Sequence, residues 1–288
     1  MKYIKSQPNP QGGLGHQFHN WILGMLIAKK YKCEFINTKF TGRIRNGEGR
    51  TIIETERVGW NDFLNFGSKL KNKGEITPTK TITLPRLELG HNINLSQDEL
   101  DATLSTWGDL IKNSKDNTLI NLPVDQMVGI LSETIYVECG DYLKDCYWSK
   151  NKKYDFNNNL MNVVVHIRRG DISKIRNGNR WLEIYDYKKQ LDYIRKKYGK
   201  VKFHILSEGN PKDFDLIKNE DVNLCINNGD LESFNMMCSS DILITGLSSF
   251  SILASYLTKG LVFYNPLLNF TRWNNIETFY NINELCLD

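Results

Sequence analysis

His166-Ile167-Arg168-Arg169-Gly170-Asp171 places two guanidiniums and a carboxylate within six residues, directly behind the apolar run Val163-Val164-Val165. Charges leaving a buried strand are costly unless paired. A guanidinium matches phosphate oxygens two at a time, so a pyrophosphate suits one arginine and Asp171 the other. The competing reading is an internal Arg–Asp ion pair with no ligand. A second segment is Gly246-Leu247-Ser248-Ser249-Phe250-Ser251. Hydroxyls and free N–H groups at the start of a helix form either an anion site or a plain serine N-cap. A third, Gly12-Gly13-Leu14-Gly15-His16-Gln17, has three glycines in four positions. Glycine lets backbone approach a substrate and permits positive φ, but the spacing is neither G-x-G-x-x-G nor a Walker loop.

Strands and helices must hold these segments. Residues 3–5 read as a strand, and Phe18, Ile22, Met25 and Leu26 recur at helical spacing after the glycines. Residues 33–36 read as the next strand, completing a βαβ unit. Residues 41–56 are rich in Gly, Arg and Asn and read as a loop, either closing over a ligand or simply exposed. A short helix is expected at 60–72 and a strand at 81–84. Residues 96–111 read as a helix with Ser96 and Glu99 as a capping box, and residues 135–139 as an alternating strand. Residues 149–160 are polar and mark the domain boundary, giving domains 1–155 and 156–288. Beyond it, strands at 162–167, 201–206, 222–226, 241–245 and finally 261–264 alternate with helices at 186–198, 231–238 and 249–257. In the 186–198 helix, Leu191 and Ile194 face inward. That order means a parallel, doubly wound α/β sheet, whose ligands sit beyond the carboxyl ends of the strands. The rule selects residues 12–17, 168–171, 207–210 and 246–251.

Together these segments resemble the fucosyltransferase superfamily, which includes alpha-1,2-, alpha-1,6- and protein O-fucosyltransferases. Residues 12–17 are similar to its G-G-L-G-N-Q, residues 166–171 to its H-x-R-R-G-D, and residues 230–251 to its third motif ending in S-S-F-S. The resemblance covers 11–36 and 160–260. It implies a GT-B fold of two facing Rossmann-like domains with mainly parallel sheets, acceptor side first and nucleotide-sugar-binding side second. It also implies an inverting, metal-independent transfer to a glycan hydroxyl, with GDP-fucose as donor. Carried over by position, Arg168 holds the β-phosphate and His166 lies near the donor's sugar or ribose. Ser248, Ser249 and Phe250 line the pyrophosphate and base pocket, and Asp230 or Glu232 accepts from guanine. Gly13, Gly15 and His16 bring the N-terminal loop to the donor. The sequence departs at His16, where the family has Asn, at Ser207-Glu208-Gly209 in place of Ser-Asp-Asp, and at Ile252-Leu253. These departures bear on the donor sugar more than on the phosphate grip.

Negative charge builds on the leaving pyrophosphate, and Arg168 with the Ser248–Ser249 amides would stabilise it in place of a metal. Asp213-Phe214-Asp215 fits the D-x-D of metal-dependent transferases but opens a helix in a polar loop, where carboxylates are ordinary. Asp171 and Glu183 are the candidate general bases; otherwise Asp171 is a structural partner of Arg169 and Glu183 a surface charge. Trp181, Tyr185 and Trp273 could stack on sugars, although such residues are more often core.

Composition sets outer bounds. The 288 residues are 40% hydrophobic and 24% charged, which fits a folded chain with a sizeable core. A net charge of +4 suits an anionic small molecule and falls short of a nucleic-acid footprint, so no nucleic-acid partner is expected. Six cysteines contain no C-x-x-C pair, which reads as buried thiols in a reducing compartment. No run reaches the ~20 apolar residues of a membrane span, and the start lacks a signal-peptide core, so a cytoplasmic bacterial or viral-type enzyme is expected. Other readings are a transferase using another nucleotide sugar, such as a xylosyl or rhamnosyl donor, a catalytically silent nucleotide- or glycan-binding protein, and, last, a mildly basic nucleic-acid binder.

Overall fold

The structure is a computed structural model, and it describes residues 1–8, 12–45, 51–56, 58–87, 97–124, 132–175, 178–265 and 277–286. The chain divides into two compact units, Met1–Asn151 and Lys152–Asp288, each built on its own parallel sheet.

The first unit runs β1 (Tyr3–Lys5), α1 (Leu14–Lys30), β2 (Glu34–Asn37), β3 (Thr41–Arg45), β4 (Thr51–Glu56), α2 (Val58–Leu64), β5 (Lys71–Asn72), β6 (Lys80–Thr83), α3 (Gln97–Asn113), β7 (Thr118–Asn121) and α4 (Ser132–Trp148). The sheet order is β5-β2-β1-β7-β6, with every pairing parallel. Ile4 is fully buried at the centre of the sheet. From α1, Trp21 packs against Phe18, Phe35, Phe40 and Phe66, and this aromatic cluster fixes the helix over β2. Lys29 and Lys30 end α1, where positive charge complements the helix dipole.

Three expectations change here. The alternating run Ile135-Tyr136-Val137-Glu138-Cys139 is not a strand; it lies in α4. A strand would bury Ile135, Val137 and Cys139 together, yet Val137 is 66% exposed while Ile135, Cys139, Leu143 and Cys146 are buried. Four-residue spacing therefore wins over two-residue spacing. Residues 41–56 hold an antiparallel hairpin, β3 against β4, rather than a plain loop. The strand β7 is a further element beyond the sequence expectations. Ser96 lies outside the described residues, and with it the expected capping box of α3.

The second unit runs β8 (Met161–His166), α5 (Ile184–Tyr198), β9 (Val201–Ser207), β10 (Val222–Ile226), α6 (Asp230–Ser239), β11 (Ile242–Ile244), α7 (Ser249–Ser255), β12 (Leu261–Tyr264), β13 (Phe279–Asn281) and α8 (Ile282–Leu285). Residues 261–264 are therefore not the last strand, because β13 pairs in parallel with β12. The sheet order is β10-β9-β8-β11-β12-β13. Val163, Val165 and Ile167 pack with Leu191, Ile194, Phe203 and Phe263 on one face, and Val164 is equally buried, as expected of a strand covered on both sides. The chain winds outward from β8 through β9 to β10, then returns to β11 on the opposite side. The gap between β8 and β11 is thus the topological switch point, where open α/β sheets bind ligands.

Candidate functional site at the switch point

Arg168 follows β8 and Ser248 follows β11, so the winding of the sheet brings them together from 80 residues apart. Arg168 Nη1 donates to Ser248 Oγ at 2.8 Å, and Arg168 Nη2 donates to Asp171 Oδ2 at 2.6 Å. Its Nε is buried without a hydrogen-bond partner. Ser248 is itself fully buried and caps α7, its Oγ accepting from the Phe250 amide at 3.3 Å.

His166 closes the same pocket wall. Burial, then the Arg168 charge, holds its pKa down to about 3, so the ring is neutral. Its Nδ1 is buried without a partner. Gly246 makes this packing possible: a Cβ there would lie 2.5 Å from the His166 carbonyl oxygen and 2.8 Å from Nδ1. The Phe250 ring lies 5.9 Å from the His166 ring and 5.3 Å from Phe234. Ser249 is half-buried at the first position of α7.

Asp171 pairs with Arg168, not with Arg169 as the sequence suggested. Arg169 turns the other way. Its Nη1 donates to the Arg168 carbonyl and its Nη2 to the Leu182 carbonyl, both at 2.8 Å, and its guanidinium lies 3.7 Å over the Trp181 ring. Carbonyls and an aromatic face satisfy this buried cation without a carboxylate. Trp181 therefore spends its face on Arg169, while Tyr185 is exposed with Lys189 above its ring. Trp273 lies outside the described residues.

Gly170 sits at φ +79°, in the region that favours glycine, and a Cβ there would collide with the Glu208 carboxylate. Glu208 is the functional candidate that residue-by-residue reading missed. The segment 207–210 signals a strand end, but nothing in its composition singles out the glutamate. Burial, followed by Asp171 and Asp230, raises its pKa against the pull of Arg168. Asp230 opens α6 and thus belongs to this cluster, whereas Glu232 accepts from the Tyr154 hydroxyl at 3.2 Å. Glu183 is ion-paired to Lys174 at 2.8 Å, and that hydrogen bond lowers its pKa.

The glycine segment belongs to the first unit. Gly13 caps α1 in an extended conformation, with open space where its Cβ would be. Gly15 and His16 lie in the first turn of α1, and Gly15 is buried rather than part of a loop. None of Gly12, Gly13 and Gly15 has positive φ. What fixes this turn is Gln17, fully buried, which donates to the Gly12 and Thr41 carbonyls at 2.9 and 2.7 Å and accepts from the Thr41 amide at 2.9 Å.

Asp213 serves the short 3-10 helix Pro211–Ile217, its carboxylate accepting from the Asn210 amide. Among the described residues, no group of three His, Cys, Asp or Glu could hold a metal ion. No helix among them is long and apolar enough to cross a membrane. All six cysteines are free thiols.

Two mainly parallel sheets with a ligand-type switch point define a GT-B-type glycosyltransferase fold. Solved structures agree: POFUT1 in complex with GDP-fucose superposes with a TM-score of 0.51 at 12% identity, covering 91% of this chain and 97% of the other. A second crystal form of that complex gives 0.50 at 13% identity, covering 92% and 98%. Glycosyl transferase family 11 matches residues 129–276, more than half of the chain, and the protein belongs to that family. It is a fucosyltransferase-like glycosyltransferase. Comparison with curated protein sequences gives no significant match.

Proposed function

We propose that the protein transfers L-fucose from GDP-fucose to a glycan hydroxyl, with inversion and with guanidinium charge doing the work of a metal. The observation that carries this reading is Arg168 at the switch point, anchored by Ser248 and Asp171, with its own Nε and His166 Nδ1 buried and unpartnered. Buried polar atoms are almost always satisfied, so these two fit a ligand's polar groups. A guanidinium fixed by neighbours before the donor arrives stabilises the charge of a departing diphosphate without reorganisation. The GDP-fucose held by POFUT1, on the same fold, supports the choice of donor.

Donor binding is assigned to the C-terminal unit and acceptor recognition to the N-terminal one. In this assignment Ser248, Ser249 and Phe250 line the diphosphate and base pocket, and Asp230 accepts from the guanine edge. Inversion needs one displacement: the acceptor hydroxyl attacks the anomeric carbon, the bond to the β-phosphate breaks, and a base takes the hydroxyl proton. Glu208 is the carboxylate best suited to that last task, since its proton affinity is raised while that of Glu183 is lowered. Asp171 then serves chiefly as the anchor of Arg168.

The reading is tested by incubating the protein with GDP-fucose and a panel of glycans in EDTA. GDP release and the anomeric configuration of the product are followed by NMR. Acceptor-dependent release giving an α-fucoside from the β-linked donor is expected. Release from a different nucleotide sugar, with none from GDP-fucose, would replace the donor; loss of activity in EDTA restored by a divalent ion would overturn metal independence.

A further inference from the structure

Arg180 lies in the turn that precedes α5 and has no part in the site as described so far. We propose that it is a second cation for the donor's diphosphate, held in place by the clamp that Arg169 makes on Trp181 and Leu182. The inference rests on the donor reading above.

The clamp is geometric. Arg169 leaves the end of β8 on the side away from Arg168 and takes the Leu182 carbonyl at 2.8 Å and the Trp181 face at 3.7 Å. The Trp181 amide donates to the Gly178 carbonyl at 3.0 Å, closing the single turn Gly178–Arg180 immediately before it. Residues 178–182 are thus pinned to the strand end that carries Arg168. The half-buried Arg180 side chain lies within range of both the Arg168 charge, which opposes its own, and the Asp171 charge, which favours it.

Charge balance shows why a second cation is needed. Arg168 already shares its guanidinium with Asp171. Glu208 and Asp230 add negative charge at the same strand ends. A diphosphate entering that cluster would meet more negative charge than Arg168 alone can offset, and like charges at such range repel strongly in a partly buried site. Arg180 supplies the missing positive charge. The two arginines of H-x-R-R-G-D then have separate tasks: Arg168 binds, and Arg169 is a positioning residue that brings in Arg180.

The test is a calorimetric titration of GDP, and separately of guanosine, into wild type, Arg180→Ala, Arg180→Lys, Trp181→Leu and Arg168→Ala, with melting curves for each. Arg180→Ala is expected to weaken GDP at least tenfold and leave guanosine unchanged. Arg180→Lys should recover part of the loss, and Trp181→Leu should weaken GDP although Arg180 is intact. Wild-type GDP affinity in Arg180→Ala, alongside a loss in Arg168→Ala, would overturn this inference and leave the donor reading standing. Equal weakening of GDP and guanosine would also overturn it, because the effect would not be on the phosphates. If Arg168→Ala binds GDP as wild type does, the donor reading fails and this inference fails with it.

Discussion

Adjacent arginines in one motif meet different fates, and the difference sets what each substitution should do. Arg168 makes two directed bonds from one planar fork, to Ser248 and to Asp171. A lysine keeps the charge but cannot hold both partners and still present a third donor. Arg168→Lys should therefore lower kcat/KM by about 10²-fold, or roughly 2.7 kcal/mol of transition-state stabilisation, in a donor-saturation assay. The carboxylates separate in the same assay. Glu208→Gln should lower kcat by about 10²-fold or more with little change in KM, the signature of a lost base. Glu183→Gln removes a carboxylate already neutralised by Lys174 and should have a much smaller effect.

At the level of elements, backbone proximity matters more than side-chain chemistry. Gly246 passes so close to His166 that any Cβ would meet backbone, so Gly246→Ala should destabilise the fold by about 1–3 kcal/mol in a denaturant titration. Gly13 faces open space, so Gly13→Ala should leave stability within about 0.5 kcal/mol. A fall in activity at unchanged stability would then show that a ligand comes close to Gly13. The second unit was legible in the sequence because β8 is a continuous β-branched run and the helix α5 buries Leu191 and Ile194 at helical spacing. The first unit was less so. Its strands β5 and β7 are two and four residues long, too short for periodicity to register, and α4 places apolar residues at both two- and four-residue intervals. The segments of the site were legible from strand ends alone. Their pairing was not: whether Asp171 turns to Arg168 or Arg169 depends on where Trp181 and Leu182 lie, and that is a matter of tertiary structure.

Across the whole molecule, buried imidazoles tie stability to pH. Burial lowers the pKa of His19, His166 and His204, the last two to about 3 and about 4. In the unfolded chain each would titrate near 6.5. Between those values the unfolded state binds more protons than the folded one, so stability is full above about pH 6.5 and falls as pH drops through that window. For His166 alone the loss at pH 5 is about 2 kcal/mol, so denaturant midpoints should fall clearly between pH 7 and pH 5. Donor binding should act in the opposite sense, since a ligand at 100 times its Kd adds about 2.7 kcal/mol to the folded state. The central claim is that Arg168 grips a nucleotide diphosphate without a metal. Its most direct test is calorimetric titration of GDP-fucose in EDTA into wild type and Arg168→Ala. The expected result is micromolar binding by wild type and a loss of at least a hundredfold in the variant, with unchanged melting in the absence of donor. Equal binding by both proteins would contradict the claim and leave the Arg168–Ser248–Asp171 contacts as structural alone.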